Sequence, residues 1–392
     1  MPVALILLIT FMALAVYIIA GYPIMLAANF RRGAPPIRKN LSHQPSVSLI
    51  VAVHNGGEFI GAKLQSISEL DYPRPLMQIV VVSDGSTDET ESIVREWKDH
   101  GAVLLSVPHG GKVAALNQAL TIATGEILFF TDVRQPLDPQ ALRHLMGNFA
   151  DATVGAVSGE LRLLRGETGI QADMELYWRY EVWARKRHSQ IDSVYNTTGC
   201  IYAIRRELAQ PMPPDTLGDD AIMPLRAFFR GYRVILDPEA LAFDYPTSAR
   251  AEFRRRLRTL AGLCQACTRA PALFTRANRM RFHFLSHKFA RLVLPWAILG
   301  IIGSTLALPA SRQRTGLLIS EAAVVFLALA DRLAPAGFPL KRVTSPARTF
   351  IAMNTAAVAS LIVFFIPAHR LWRTAPSPGA SQPRGIKSQE RW

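Results

Sequence analysis

The chain has 392 residues, of which 49% are hydrophobic, and a formal net charge of +14 at pH 7. This length allows about two domains with a full buried core, and three cysteines exclude a disulfide framework, so a reducing compartment is expected. Such a basic chain could bind nucleic acid, an anionic membrane surface or phosphorylated substrates. Its long apolar blocks favour membrane lipids as the partner, and no nucleic-acid partner is expected.

The first predicted element is a membrane-spanning helix within residues 1–30. Residues 3–24 are almost wholly apolar, which is long enough to cross roughly 30 Å of hydrocarbon at about 1.5 Å per residue. No lysine or arginine precedes this block, whereas Arg31, Arg32, Arg38 and Lys39 follow it. The positive-inside rule therefore predicts that the next residues are cytosolic. A cleaved signal peptide is rejected, because it would need basic residues before the block and a small-residue cleavage site after it.

Strands alternate with helices over the following domain, predicted at 46–250, where no apolar run is long enough to span a membrane. The predicted strands are 47–53, 79–82, 127–130 and 154–158, and the predicted helices include 60–70, 113–121 and 221–229. A capping box formed by Ser86 and Glu89 predicts another helix directly after the second strand. This alternation predicts an α/β fold with a mostly parallel sheet and ligands at the carboxyl ends of its strands.

Polar side chains follow three of these strands, namely Asn55, Asp84 and Asp132. Because such strand ends meet at one edge of a parallel sheet, these side chains are expected to converge. A carboxylate at the position of Asp132 could hold a divalent cation, which in turn could hold a diphosphate. Asp132 could also simply start the turn towards Pro136. Asp84 could accept hydrogen bonds from a base or ribose, or cap a helix.

A glycine-rich turn, Gly110–Gly111, precedes Lys112 and the helix over 113–121. Lys112 could contact a phosphate at this helix start, or be a solvated surface lysine. Asn117 lies inside the same helix, where an exposed polar side chain is an equally simple interpretation.

Taken together, these residues resemble the family 2 glycosyltransferases, which have a GT-A nucleotide-sugar fold. The resembling segments are Val51–Asn55, Val82–Asp88, Gly111–Asn117 and Phe130–Asp132, in that order. The resemblance covers residues 46–260, and the apolar segments resemble those of the membrane-embedded polysaccharide-type members.

This resemblance implies a role for each matching residue. Asp84 would contact the nucleotide base, and Asp132 would bind the donor diphosphate and a metal ion, Mg²⁺ or Mn²⁺. The matching segments also suggest His54, Asn55, Lys112 and Asn117 as residues that bind the nucleotide-sugar donor.

One position departs from the family pattern. The second carboxylate of the D-x-D motif is replaced by Arg134, so a bound cation would lose one ligand. Arg134 could instead neutralise the diphosphate by bidentate contact. The sequence therefore leaves the metal requirement open.

Acceptor-binding residues are expected in the next part of the domain. Residues 175–183 place aromatic and charged side chains in one helical window, where Trp178 and Tyr180 could stack on sugar rings or lie at the membrane interface. Residues 196–206 resemble the family's small-residue loop and strand beside the acceptor site, which suggests Gly199 and Tyr202.

Adjacent carboxylates, Asp219 and Asp220, precede the helix over 221–229. By resemblance they match the motif whose last aspartate is the catalytic base, so Asp220 is the predicted base. Two adjacent carboxylates raise each other's proton affinity, and a base must deprotonate the attacking acceptor hydroxyl. The alternative is an acidic helix start that is stabilised by the helix dipole.

A basic segment, 251–260, stands where the family has a Q-x-x-R-W motif. Arg258 matches the motif's arginine, which by analogy stabilises the leaving diphosphate. Arg255 stands in place of the glutamine and Thr259 in place of the tryptophan, and the missing tryptophan weakens a processive-synthase interpretation. A polybasic helix attracted to anionic lipid is the alternative role.

The remaining chain is predicted to return to the membrane. Residues 251–290 are expected to form amphipathic or interfacial helices, and 291–370 a transmembrane region with spans at 292–308, 317–333 and 349–366. Residues 374–392 are rich in proline, serine and glycine, which predicts disorder. Four spans would put the carboxyl terminus outside, whereas the basic residues of the tail favour the inside.

The sequence thus predicts an inverting glycosyltransferase at the cytosolic face of the plasma membrane, which would be the inner membrane of a bacterium. It would move a sugar from a nucleotide-sugar donor to a lipid-linked or glycan acceptor, in cell-surface polysaccharide or glycolipid synthesis. The alternatives are a processive polysaccharide synthase, and a non-catalytic membrane scaffold or sensor with a degenerate site.

Overall fold

The structure is a computed structural model that describes residues 2–28, 33–164, 171–244, 249–331, 333 and 340–366. The predictions of topology and disorder depend partly on Arg31, Arg32 and the tail at 374–392. These lie outside the described residues. So do the side chains of residues 171–177, which include the start of the predicted aromatic window.

The described residues form one sheet of seven strands. These are β1 (Val47–Val53), β2 (Met77–Asp84), β3 (Ala102–Val107), β4 (Ile127–Phe130), β5 (Val154–Leu163), β6 (Tyr202–Arg205) and β7 (Arg233–Asp244). Their order across the sheet is β3-β2-β1-β4-β6-β5-β7. Strand β6 runs antiparallel to both of its neighbours, and the other paired strands are parallel. The predicted α/β fold with a mostly parallel sheet is confirmed.

Helices are described in the following ranges: α1 (Pro2–Val16), α2 (Tyr22–Ala28), α3 (Gly57–Ser68), α4 (Thr90–Glu96), α5 (Lys112–Ile122), α6 (Ala141–Gly147), α7 (Gln171–Ile191), α8 (Asp219–Phe229), α9 (Ala249–Arg269), α10 (Arg281–His283), α11 (Ala290–Ala307), α12 (Arg312–Ala330) and α13 (Lys341–Ala359). Apolar side chains of α3, α4 and α6 pack on one face of the sheet. Those of α5 and α8 pack on the other. Because both faces are covered, the central strands β1 and β4 are nearly continuous apolar runs.

The turn after β2 differs from the predicted capping box. Helix α4 begins only at Thr90, and Glu89 makes no side-chain cap hydrogen bond. Instead, Asp88 accepts hydrogen bonds from the backbone N–H groups of Thr90 (3.1 Å) and Gly57 (2.9 Å). The capping-box prediction was wrong because the Asp88 carboxylate ties the two loops together and delays the helix by several residues.

Four helical segments are long and apolar enough, by length and composition, to cross a membrane. They are Val3–Ala28, Arg281–Ala307, Arg312–Ala330 and Lys341–Phe364. The predicted spans overlap these segments. The second segment already begins at Arg281, because the residues predicted as interfacial continue without a break into the apolar helix.

Buried hydrogen bonds join the first apolar segment to α7. The fully buried Tyr22 hydroxyl is hydrogen-bonded with Nε2 of His188 (2.6 Å) and Nδ1 of His283 (3.0 Å). A polar group in an apolar environment is costly to leave unpaired, so these bonds disfavour separation of the elements. Tyr22 therefore fixes the first apolar segment against the sheet domain.

Candidate active site

A cavity of about 1430 Å³ opens at the carboxyl ends of β1, β2 and β4 and continues along α9 towards α11 and α13. It is lined by ten of the residues predicted from the sequence: His54, Asp84, Lys112, Asp132, Arg134, Trp178, Gly199, Asp219, Asp220 and Arg258. Ligands of open α/β sheets bind at this edge, where the loops that follow the strands begin. The cavity is therefore the candidate active site.

Asp84 ends β2 and lies at one end of the cavity. Its carboxylate accepts hydrogen bonds from the N–H groups of Gly110 (2.7 Å) and Gly111 (2.9 Å), and it does not cap α4. His109 places Nδ1 3.0 Å from the same carboxylate, and its ring centroid lies 4.3 Å from that of His54. Two imidazole rings and a carboxylate thus form a pocket wall suited to a planar, hydrogen-bonding ligand.

Lys112 is the first residue of α5 and bridges two carboxylates. Its ammonium lies 2.9 Å from Oδ1 of Asp132 and 3.2 Å from Oδ2 of Asp219. Burial lowers the pKa of Lys112, but the charges of these carboxylates outweigh burial and raise it overall. Lys112 is therefore a charged cavity residue rather than a solvated surface lysine.

Asp219 and Asp220 form the first turn of α8. Burial in the cavity, followed by the charge of Asp219, raises the pKa of Asp220 to about 6, while Lys112 and Arg185 oppose this rise. Asp220 is thus mostly ionised at neutral pH, yet a better proton acceptor than an ordinary aspartate. A Cβ at Gly199 would lie 3.6 Å from that of Asp220, so the loop before β6 runs directly beside this carboxylate.

Arg134, the residue that breaks the D-x-D pattern, lies at the cavity wall. Its guanidinium forms an ion pair of 2.7 Å with Oδ1 of Asp244, the last residue of β7. Gln135 donates from Nε2 to the other carboxylate oxygen of Asp244 at 2.9 Å. The loop after β4 is therefore tied to the end of β7 by two side chains.

Asp132 and Asp219 are the cavity carboxylates that could bind a divalent cation, and the Lys112 ammonium supplies the positive charge between them in this structure. The carboxylates of Asp132 and Asp219 converge on one positive charge, the Lys112 ammonium. Their hard oxygen atoms are ligands that Mg²⁺ and Mn²⁺ favour, and Arg134 is held to one side by Asp244. Asp132 is therefore the residue that could hold the metal, with Asp219 nearby.

Two groups among the described residues place three ligand atoms within 4.8 Å of one another, and neither includes Asp132. The group of His54, Asp84 and His109 lies at the far end of the same cavity. In the group of His144, Asp237 and Glu239, the Lys39 ammonium already lies 2.8 Å from Asp237 and 2.6 Å from Glu239. The Lys39 ammonium thus already supplies the positive charge that a metal ion would bring to that group.

Helix α9 brings positive charge to the opposite wall. Arg258 lines the cavity, and its guanidinium interacts electrostatically with Asp132 and Asp219. Arg255 lies over the ring of Trp178 at 6.0 Å, and Trp178 donates from Nε1 to the carbonyl of Leu161 at 3.3 Å. The indole is thus held at the wall in contact with the basic helix.

The predicted donor residues Asn55 and Asn117 do not line the cavity. Asn55 accepts the N–H of Thr87 at 2.8 Å and adopts a positive φ of 49°, so it joins the loops after β1 and β2. Asn117 donates to the carbonyl of Met212 (2.7 Å) and accepts its N–H (2.8 Å). Both residues join loops around the cavity through these hydrogen bonds, and their contact with the donor stays a prediction.

The predicted acceptor residues Tyr180 and Tyr202 also lie outside the cavity lining. Tyr202 is fully buried, and its ring stacks on Phe130 with a centroid distance of 4.9 Å. The ring of Tyr180 lies 5.9 Å from those of Trp183 and His287. Strand alternation and the turn of α7 direct these rings into packing contacts, and their contact with an acceptor stays a prediction.

Replacement of Asn117 by alanine is expected to lower the free energy of unfolding by about 1–3 kcal/mol, because both backbone groups of Met212 lose their partner. Donor affinity should stay unchanged in the folded protein. Denaturation of the detergent-solubilised chain, together with nucleotide titration, measures both quantities. A variant of full stability with weakened nucleotide binding would instead support the donor-binding role of Asn117.

Several cavity residues were not identified from the sequence. Arg185 is buried and donates to Ser158 Oγ (2.7 Å) and Thr198 Oγ1 (2.8 Å). It lies seven residues after Trp178, two turns along the same helix, and this spacing is the signal that could have found it. Further examples are His109, Glu181, Asp244, Lys288 and Arg291.

The sheet and its strand-end carboxylates define a GT-A nucleotide-sugar fold. The solved structure of the mannosyltransferase PcManGT from Pyrobaculum calidifontis, in complex with GDP-Man and Mn²⁺, superposes with a TM-score of 0.73 at 26% identity. The superposition covers 91% of this chain and 98% of that one. The predicted GT-A fold is confirmed.

Residues 48–211 match the family model of Glycosyl transferase family 2. It is 25% identical over 269 residues to the probable glycosyltransferase YdaM of Bacillus subtilis (strain 168), covering 65% of this chain and 64% of that protein. It is 22% identical over 231 residues to the poly-beta-1,6-N-acetyl-D-glucosamine synthase of Staphylococcus aureus (strain COL), covering 57% and 56%. The chain thus spans less than two thirds of the length of these curated relatives.

Proposed function

We propose that the chain is an inverting glycosyltransferase that moves a sugar from a nucleotide-sugar donor to a lipid-linked or glycan acceptor. Its domain would work at the cytosolic face of the plasma membrane, the inner membrane in a bacterium. The observation that carries the proposal is the convergence of Asp84, Lys112, Asp132, Asp220 and Arg258 on one cavity. The match to the family 2 model and the similarity to PcManGT support it.

The donor lies along the edge of the sheet. Asp84 and the imidazoles of His54 and His109 bind the nucleoside, while Lys112 and Arg258 face the diphosphate. A Mg²⁺ or Mn²⁺ ion held by Asp132 would neutralise diphosphate charge as the bond to the sugar breaks. The Mn²⁺ in the PcManGT complex supports this choice of metal.

Asp220 acts as the base. It takes the proton of the acceptor hydroxyl while the hydroxyl oxygen attacks the anomeric carbon of the donor sugar. The bond between this carbon and the diphosphate breaks on the opposite side, so the configuration inverts and a nucleoside diphosphate leaves. Arg258 stabilises the negative charge that develops on this leaving group.

A lipid-linked acceptor is favoured over a free glycan by the extent of the cavity. From Asp220 the cavity continues to Arg291 in α11 and Met353 in α13. Both residues belong to segments that are apolar and long enough to cross a membrane. A lipid-anchored acceptor can therefore present its hydroxyl to Asp220 while its tail stays among these helices, as glycolipid or cell-surface polysaccharide synthesis would require.

A processive polysaccharide synthase is the second candidate, because the chain is similar to a poly-beta-1,6-N-acetyl-D-glucosamine synthase. Thr259 at the cavity wall counts against it, since it stands where an aromatic platform would hold the growing chain. Product length on a defined primer separates the two, because a processive enzyme releases long polymers while most of the primer is still unused.

A panel of sugar nucleotides tests the proposal. The full chain in detergent is titrated with UDP- and GDP-sugars, with and without Mg²⁺ or Mn²⁺, and transfer to a bacterial lipid extract is followed. We expect one nucleotide class to bind more tightly with metal and to yield a glycosylated lipid. Nucleotide-sugar binding without turnover across all metals and acceptors would favour the non-catalytic scaffold or sensor, and absence of binding would contradict both.

A further inference from the structure

Lys63 is a buried lysine that lies behind the cavity and does not line it. It projects from α3 on the same face as Ile60, Leu64 and Ile67, which belong to the core between helix and sheet. Only 1% of Lys63 is exposed, and no described carboxylate forms an ion pair with it. Lysine is rarely buried in this way without a paired charge.

The Lys63 ammonium holds both ends of the loop after β4. It donates to Oγ1 of Thr131 at 2.5 Å and to the backbone carbonyl of Gln135 at 2.6 Å. Thr131 in turn donates to the carbonyl of Cys200, the residue next to Gly199, at 2.8 Å. Lys63 therefore ties α3 to a five-residue loop that carries Asp132 and Arg134.

Stability alone does not explain a lysine at this position. A buried ammonium is costly, and an apolar side chain of similar volume is often neutral or stabilising in such a site. Burial lowers the pKa of Lys63 to about 7, and the charge of Asp132 opposes this shift. Departures from core patterning of this kind are concentrated at functional sites.

We propose that Lys63 is a positioning residue for the donor diphosphate, which it serves by fixing the loop that carries Asp132 and Arg134. The inference rests on the proposed function. Lys63 touches no substrate. Its hydrogen bonds to Thr131 and Gln135 hold the loop in one conformation, so that Asp132 meets the diphosphate without a further cost of loop ordering. The nucleoside, bound at Asp84 on β2, does not depend on this loop.

The test compares nucleotides that differ by one phosphate. Titration calorimetry of the full chain with UDP, GDP, UMP and GMP in the presence of Mn²⁺ gives the ratio of monophosphate to diphosphate dissociation constants. Lys63→Met is expected to weaken diphosphate binding by at least tenfold and monophosphate binding by less than threefold, so the ratio falls. A general loss of folding would weaken both nucleotides alike and leave the ratio unchanged.

A second variant covers the case in which Lys63→Met does not fold. Thr131→Val keeps the side-chain shape and removes the hydroxyl that accepts from Lys63, and the ratio is expected to fall by about threefold or more. Lys98→Met, at an exposed position, is the matched control and should retain the wild-type ratio. An unchanged ratio in folded Lys63→Met, or in Thr131→Val alone, overturns the inference. If the wild type binds neither diphosphate, the proposed function fails first, and this inference with it.

Discussion

Replacement of Asp220 by asparagine is expected to lower kcat by roughly 10²–10⁴-fold, the range that a general base contributes. The amide keeps the shape of the carboxylate but does not accept the proton of the acceptor hydroxyl. Donor affinity should change little, because Lys112 is paired with Asp132 and Asp219 rather than with Asp220. Initial rates at saturating acceptor, together with nucleotide titration, separate the two quantities.

Asp71→Asn is the matched control for this substitution. Asp71 pairs with Arg143 on the surface, at 2.8 Å, and is not part of the cavity lining. Its variant should retain wild-type kcat. Full transfer by Asp220→Asn with every accepted donor would show that another group takes the proton, and Asp219 would then be the next residue to replace.

Lys112→Met is expected to lower kcat/KM by roughly 10²–10³-fold, as for other buried groups that stabilise developing charge. The substitution removes the cation between Asp132 and Asp219. Three carboxylates then face one another in the cavity, and the diphosphate loses a positive partner. Donor binding and turnover should therefore both decline, unlike in Asp220→Asn.

The pH profile gives this second prediction a sharper readout. Asp220 acts as a base only when ionised, so kcat should rise with pH through its pKa of about 6. Because Lys112 lowers that pKa, its removal should move the rising limb to higher pH. Rates measured from about pH 5 to about pH 9 cover the rising limb of the wild type and that of the variant. A limb at the wild-type position would mean that Lys112 does not act on the base.

The control for Lys112→Met also removes a lysine ion pair. Lys186 lies 2.9 Å from Glu160 and is not part of the cavity lining. Lys186→Met should keep both the pH profile and kcat/KM, although its stability can fall. If both lysine variants shifted the limb equally, the effect would come from net charge rather than from the contacts of Lys112.

How far the sequence predicts the sheet depends on the composition of each strand. Strands β1 and β4 are nearly continuous apolar runs, broken only by Ser48, so their predicted bounds agree with the structure. Strand β7 was not predicted, because Asp237, Pro238 and Glu239 interrupt its apolar pattern. The structure accommodates them where the pairing of β5 with β7 shifts register, and such an irregularity is invisible to periodicity.

For the site, residues at strand ends and helix starts could be predicted, because local sequence sets their position. Asp84, Lys112, Asp132 and Asp220 are of this kind. The sequence did not identify Arg185, which reaches the cavity only through the packing of α7. Some motif residues line the cavity, whereas others, such as Asn117, form hydrogen bonds with the backbone of a residue distant in sequence. The sequence alone could not distinguish these two cases.

The buried hydroxyl of Tyr22 has a kinetic consequence. Since His188 and His283 hold it, the segment Val3–Ala28 is joined to α7. With this segment in a membrane, the cavity would keep one height relative to the bilayer. Under the proposed function, a lipid-anchored acceptor would search in two dimensions, and its density per unit area of membrane would set how often it meets the cavity. Turnover would then follow the mole fraction of acceptor in the bilayer and be subject to surface dilution.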